Sequence, residues 1–213
     1  MKKSYSVIPL LVLLTVCMSF VQGGKKEKWI SLFDGKSLDG WKVGENASSF
    51  KVENGTIVVN GPRAHLFYDG KVGEHNFKNF EFKAQVMTTP GSNSGMYFHT
   101  KYQEGGWPSK GYEVQVNNSH TDWRRTGSLY GVQDLKDVFV EDNVWYTEQI
   151  IVKGKHITIK INDKTVIDYI EPDEVGNKPG EGRKISSGTF ALQGHDPKSK
   201  VFYKDIMVKP LAD

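Results

Sequence analysis

The sequence predicts an all-β protein folded as an antiparallel sandwich or barrel. Three observations predict it. Apolar residues recur with period 2 along most of the chain beyond residue 27, which is the spacing of a half-buried strand. Turn-forming residues break these runs at short intervals, as in Glu53-Asn54-Gly55, Pro90-Gly91-Ser92-Asn93, Lys153-Gly154, Asn162-Asp163 and Asp196-Pro197. No long stretch carries the 3.6-residue period of a helix that could join parallel strands.

Taken in order, the first pair is Phe50–Val52 and Thr56–Val59, a hairpin about Glu53-Asn54-Gly55. His65–Tyr68 follows, then the long alternating run Phe77–Met87. Gly95–Thr100 begins after the Pro90–Asn93 turn, and Tyr112–Val116 and Ser128–Val132 come next. Trp145–Val152, His156–Ile161 and Thr165–Tyr169 are separated by two-residue turn signals and read as a meander. Gly188–Leu192 and Val201–Val208 close the domain. Short helical turns are expected near Leu32–Gly40 and Pro172–Val175, and the polar stretch 171–187 reads as a long surface loop. No internal repeat or linker appears, so residues 24–213 form one domain with an ordered part of about 27–211.

Residues 1–23 read as an export signal, with Lys2-Lys3 ahead of the short apolar run Ile8–Val16 and Val21-Gln22-Gly23 as a cleavage site. That run is too short to span a bilayer, so the mature chain is expected to lack a transmembrane span. The expected location is periplasmic or secreted, with lipid attachment at Cys17 as the alternative, since Leu14-Thr15-Val16-Cys17 loosely matches a lipobox. Of 28 basic residues, Lys2 and Lys3 lie in this segment, which leaves 26 against 25 acids. No basic stripe remains to bind nucleic acid. Aromatics at 12% and 22 glycines exclude a disordered chain. Cys17 is the only cysteine, so the mature domain has no disulfide and no thiol chemistry.

Alternation splits each strand into a core face and an open face. Met96, Phe98, Val114, Val116, Phe190 and Leu192 share the core parity. The opposite parity carries Tyr97 with His99, Glu113 with Gln115, and Gln193 with His195. Such pairs also mark an ordinary solvated sheet face. Brought side by side, three of them offer donors and acceptors for sugar hydroxyls and rings for sugar C–H faces. The segments Trp107–Tyr112 and His120–Arg125 either roof this groove or anchor ordinary loops.

Several chemistries lack their residues. There is no His-Glu-x-x-His helix, no phosphate-binding Gly-rich loop, no Gly-x-Ser-x-Gly elbow and no EF-hand loop. No cofactor is expected, and the residues leave a metal requirement open. A glycosidase of the two-carboxylate type needs a second acid facing Glu113, and periodicity points to none.

Five segments in order carry a specific resemblance. They are Leu32-Phe33-Asp34-Gly35-Lys36-Ser37-Leu38-Asp39-Gly40-Trp41, Asn93–Phe98, Gly111–Gln115, Thr126–Tyr130 and Leu192–Asp196, with Lys204-Asp205-Ile206 near the end. With them the chain resembles the 3-keto-disaccharide hydrolase family, also described as 3-keto-glucoside lyase and 2-hydroxy-glucal hydratase. The resemblance implies a concanavalin A-like jelly-roll sandwich of two antiparallel sheets. It also implies a glycoside or oligosaccharide substrate, opened by elimination and hydration, in which a C3 ketone acidifies the C2 proton. On that chemistry Glu113 or His195 is the base and the other the proton donor, Gln115 and Gln193 position oxygens, and His99 and Tyr97 line the pocket. A noncatalytic carbohydrate-binding module and a conventional glycoside hydrolase are the competing readings. The chain departs from the family pattern at Tyr146, where members often have Asn and a change in the groove wall is expected. It departs again at Asn162-Asp163, which replaces a common Asn-Gly turn.

Overall fold

A computed structural model describes Met1, residues 28–173 and residues 183–213. The expected export signal, the lipobox and part of the expected turn at Pro172–Val175 lie outside the described residues. None of the described helices is long and apolar enough to cross a membrane.

Thirteen strands form two antiparallel sheets. The larger contains β1 (Ile30–Ser31), β3 (Phe50–Glu53), β4 (Thr56–Val59), β6 (Phe80–Thr88), β9 (Tyr146–Lys153), β10 (His156–Ile161), β11 (Lys164–Ile170) and β13 (Val201–Pro210). Its order is β11-β10-β9-β6-β13-β4-β3, with β1 also paired to β13. The smaller contains β2 (Trp41–Val43), β5 (Ala64–Tyr68), β7 (Ser94–Thr100), β8 (Tyr112–Val116) and β12 (Thr189–Gly194) in the order β2-β5-β12-β7-β8.

The core lies between the sheets, and the parity rule holds for it. Met96, Phe98, Val114, Val116, Phe190 and Leu192 are all fully buried in one cluster. Phe190 stacks on Phe82 of the facing sheet with centroids 4.0 Å apart, and on Phe77 at 4.6 Å. The β10–β11 turn also follows its sequence. Asn162 and Asp163 both take positive φ, 47° and 67°, as a two-residue hairpin turn requires.

Three expectations fail. Ser128–Val132 is not a strand but a pair of tight turns held by isolated bridges from Leu129 to Val114 and Gln133. Leu32–Gly40 forms bends and a turn but no helix: Asp34 accepts the N–H groups of Lys36 and Ser37, while Gly35 and Gly40 take positive φ, 76° and 79°. The short 3₁₀ turns fall instead at Ala47–Ser49 and Val72–His75. Tyr146 is buried in the core between the sheets and does not reach a groove wall.

Candidate active site

Side chains of the five-stranded sheet that point away from the core line a cleft of about 320 Å³. Its floor is Tyr97 on β7, Glu113 and Gln115 on β8, and Gln193 on β12, with His195 just beyond the strand end. One wall is the β7–β8 loop, through Trp107, Pro108 and Ser109. Another is built from Asp122 and Tyr130 in the segment after β8, together with Arg183. Both loop segments singled out in the sequence thus border the groove.

Glu113 is the centre of the floor. Tyr97 faces it directly across the β7–β8 ladder. Gln193 reaches it from the far side of β7 and donates from Nε2 to Glu113 Oε1 at 2.9 Å. The same amide donates to the Tyr97 hydroxyl at 2.8 Å, which leaves the phenolic hydrogen free for the Glu113 carboxylate. Burial pushes the Glu113 carboxyl up to about 7, against the hydrogen bonds from Tyr97 and Gln193 and the charge of Arg183, which favour the anion. Burial likewise holds Tyr97 well above the ordinary phenol range, so it stays neutral. The site therefore contains a carboxylate poised near neutrality, which suits proton abstraction.

Two amide oxygens on this floor, Gln115 Oε1 and Gln193 Oε1, have no partner among the described residues. Gln115 donates from Nε2 to Asn93 Oδ1 at 2.7 Å, and its buried oxygen meets no donor among the described residues. His65 on β5 stands behind Trp107 and Tyr97, with ring centroids 5.6 and 5.3 Å away. Burial lowers His65 to about 4, so its ring is neutral.

His195 lies 2.9 Å through Nδ1 from Asp196 Oδ2. Asp196 is held down at about 2; desolvation opposes the charge, but the Ser199 hydroxyl, His195 and the Lys198 N–H all donate to it. An ionised Asp196 fixes the Nδ1–H tautomer of His195 and leaves Nε2 to exchange protons. His120 stands beside it, ring centroids 5.5 Å apart. His120, His195 and Asp196 present ligand atoms within 4.8 Å of one another and are the group among the described residues that could hold a metal ion. In this hydrogen-bonding pattern, however, His120 Nδ1 accepts the Asp122 N–H at 3.0 Å, which puts the proton of a neutral ring on Nε2. Asp196 is thus bonded to His195, while His120 is bonded to its own loop and meets His195 only ring to ring.

Five of the six residues expected from the sequence converge here: Glu113, His195, Gln115, Gln193 and Tyr97. His99 does not. The β7–β12 ladder shifts register between Thr189 and Ala191, and His99 adopts φ 55° opposite that irregularity. Its ring turns to Phe80 and Phe98, at 5.5 and 5.4 Å. Nε2 donates to Lys78 O at 2.9 Å and Nδ1 accepts the Ser186 N–H at 3.2 Å. His99 is a buried neutral histidine, lowered to about 4 by desolvation. Sequence reasoning reached Asp122 only as part of the His120–Arg125 segment and missed Tyr130 and Arg183; all three come from irregular segments with no parity to read. It also missed His65, although parity with the outward-facing Phe67 of the same strand pointed to it.

The sequence profile described as the 3-keto-alpha-glucoside-1,2-lyase-like domain matches residues 28–209. The chain belongs to this family. A relative from Bacteroides thetaiotaomicron, named 3-keto-disaccharide hydrolase, is 28% identical over 172 residues. That match covers 66% of this chain and 58% of the relative's length, so the chain spans little more than half of that protein. Among solved structures, a proposed glycosyl hydrolase from Parabacteroides distasonis is similar with a TM-score of 0.72 and 23% identity, over 86% of this chain and 94% of that one. Carbohydrate-binding module CBM66 from Bacillus subtilis is similar with a TM-score of 0.56 and 12% identity, over 80% and 95%. These two likenesses establish the fold that the family shares with concanavalin A-like lectin and carbohydrate-binding domains.

Proposed function

We propose that this domain cleaves the glycosidic bond of 3-keto glycosides by elimination followed by hydration, outside the cytoplasm. The observation that carries the reading is Glu113: a carboxyl pushed up to about 7, open to a cleft, and held by two neutral donors. A noncatalytic binding module has no use for a carboxylate brought to the point of proton exchange, because sugar hydroxyls are bound as well by an ordinary one. Family membership and the name of the Bacteroides relative supply the substrate class. The charged leader Lys2-Lys3 and the apolar run after it support export.

The steps follow from the substrate. An ordinary sugar C2 proton is far too weakly acidic for a carboxylate base. A ketone at C3 lets the electron pair of the C2–H bond pass onto the C3 oxygen, so Glu113 takes the proton and an enolate forms. The enolate collapses to restore the ketone, a C1–C2 double bond forms, and the C1–O bond breaks. The departing oxygen takes a proton from His195, whose ring Asp196 orients through Nδ1. Water then adds at C1 and a proton returns to C2, so the net change is hydrolysis. Gln115 and Gln193 form the polar floor beneath the sugar, Gln193 holding Glu113 and Tyr97, and Trp107 offers its ring to a sugar face.

One observation favours a second reading. Asp122 is a further carboxylate lining the cleft, and a pair of carboxylates is what direct glycoside hydrolysis uses. Asp122 is already engaged by the Arg124 N–H at 3.0 Å and its guanidinium at 3.4 Å, which hold it on the wall. A C2-deuterated 3-keto glycoside turned over in ordinary water separates the two. Elimination expects the label to be lost in step with cleavage, after correction for exchange without enzyme. Retention of deuterium, or equal turnover of the unoxidised glycoside, would install direct hydrolysis instead.

A further inference from the structure

We propose that Arg183 is the group that receives the negative charge of the reaction, holding the C3 oxygen as it becomes an enolate. The inference rests on the elimination reading above and adds a residue and a role to it. Two arginines flank the Tyr130 ring, Arg124 at 4.7 Å and Arg183 at 5.4 Å from its centroid. They are not equivalent. Arg124 is neutralised by Asp134 at 3.1 Å and Asp122 at 3.4 Å. Arg183 lines the cleft and makes no hydrogen bond or ion pair to any described residue. It is nonetheless held in place. Its guanidinium lies on the Tyr130 ring and against Gly131, where a Cβ would come within 2.7 Å of Nη1. A guanidinium held in this way, with no ion-pair partner among the described residues, brings N–H donors to the cleft, and a developing oxyanion is the ligand that uses them best.

The charge balance of the first step favours the same assignment. Before proton transfer the cleft holds the Glu113 anion and the Arg183 cation, and each acts on the other. When Glu113 takes the C2 proton it becomes neutral, and Arg183 loses its counter-charge at the moment the C3 oxygen gains one. The attraction between Arg183 and substrate is thus stronger in the transition state than in the ground state, which is the condition for it to raise kcat and not merely affinity.

Arg183→Met keeps most of the stem and removes the charge; Arg183→Lys keeps a charge without the planar fork. On a C2-deuterated 3-keto glycoside, Arg183→Met is expected to slow both label loss and cleavage about 10²–10³-fold, with KM changed far less. Arg183→Lys should recover part of the rate, and added guanidinium ion should restore part of the rate of Arg183→Met. Unfolding curves matching those of the unsubstituted protein certify that both variants fold. Label loss at the original rate in Arg183→Met, or a rise in KM with kcat unchanged, overturns the proposal while leaving elimination intact. Cleavage by the unsubstituted protein with full retention of deuterium overturns the elimination reading and this role with it.

Discussion

Gln193 and Glu113 meet across an intervening strand: Gln193 Nε2 lies 2.9 Å from Glu113 Oε1, with β7 between their two strands. They can do so because the position between them is Gly95. A Cβ built on Gly95 would stand 2.5 Å from Glu113 Oε1 and 3.0 Å from its Cγ. The carboxylate lies over the space that a side chain would fill. Gly95→Ala should therefore push Glu113 off Gln193, at a stability cost of about 1–3 kcal/mol for overpacking. Turnover should fall about 10-fold or more, because a misplaced base loses the near-attack geometry. Steady-state kinetics with a thermal melt on the same sample tests this; unchanged kcat would show that the Gln193 contact does not orient the base.

The raised Glu113 carboxyl fixes two further outcomes. As a base it works only when ionised, so kcat/KM should rise with pH on an acid limb centred near 7, and fall about 10-fold for each unit below it. Glu113→Gln keeps the shape and removes the base, and should cost about 10²–10⁴ in rate. The same substitution should stabilise the fold at alkaline pH. The folded-state value of about 7 lies above the unfolded value of 4.5, so the folded state binds the proton more tightly. That contribution is fully present below about 4.5 and is lost as pH rises through 7, by on the order of 3 kcal/mol. Melting curves at pH 5 and 8 should show Glu113→Gln gaining on the original protein only at the higher pH.

How much of this was legible in the sequence depends on whether strand parity holds. Tyr97, Glu113, Gln115 and Gln193 sit within regular ladder pairs, so period 2 put each on the correct face. His99 shares a strand with Tyr97, but its left-handed backbone breaks the alternation. A bulge of this kind leaves no mark on a hydrophobic pattern. Glycine marks two nearby close approaches, since a Cβ on Gly111 or Gly188 would lie 2.2 Å from the carbonyl oxygen of Phe98 or Thr100. Asp122, Tyr130 and Arg183 depend on loop paths set by tertiary hydrogen bonds, such as Asn117 Nδ2 to the carbonyls of Asp122 and Arg124 at 2.9 and 2.7 Å. No local periodicity encodes those.

Glu148 gives a prediction that concerns stability alone. It points into the core from β9, fully buried, with neither carboxylate oxygen hydrogen-bonded to any described residue. Burial pushes its carboxyl well above the ordinary range, which favours the neutral, protonated form. Stability from this group is fully present below the unfolded value of 4.5 and declines as pH rises toward the folded one. Glu148→Met replaces the unpaired carboxyl with an apolar chain of similar length. It should raise stability by about 1–3 kcal/mol, the usual cost of a buried unsatisfied polar group, and by more at pH 8 than at pH 5. Denaturant titrations at the two pH values test it, and a loss of stability at both would mean that the carboxyl is satisfied in solution.

Asp196 is the remaining test of the acid. Its carboxylate holds the Nδ1 side of His195 at 2.9 Å and is itself held by the Ser199 hydroxyl and the Lys198 N–H. Asp196→Ala leaves His195 in the cleft but frees its tautomer and its rotation. Two steps should then separate. Removal of the C2 proton by Glu113 does not use His195, whereas departure of the glycosidic oxygen does. With a poor leaving group, Asp196→Ala should slow cleavage about 10²-fold or more while deuterium at C2 of unreacted substrate continues to exchange. With a leaving group acidic enough to depart unprotonated, such as a nitrophenolate, the cleavage rate should largely recover. Equal loss on both leaving groups, with exchange slowed in parallel, would assign His195 to the proton-abstraction step and make Glu113 the partner that serves it.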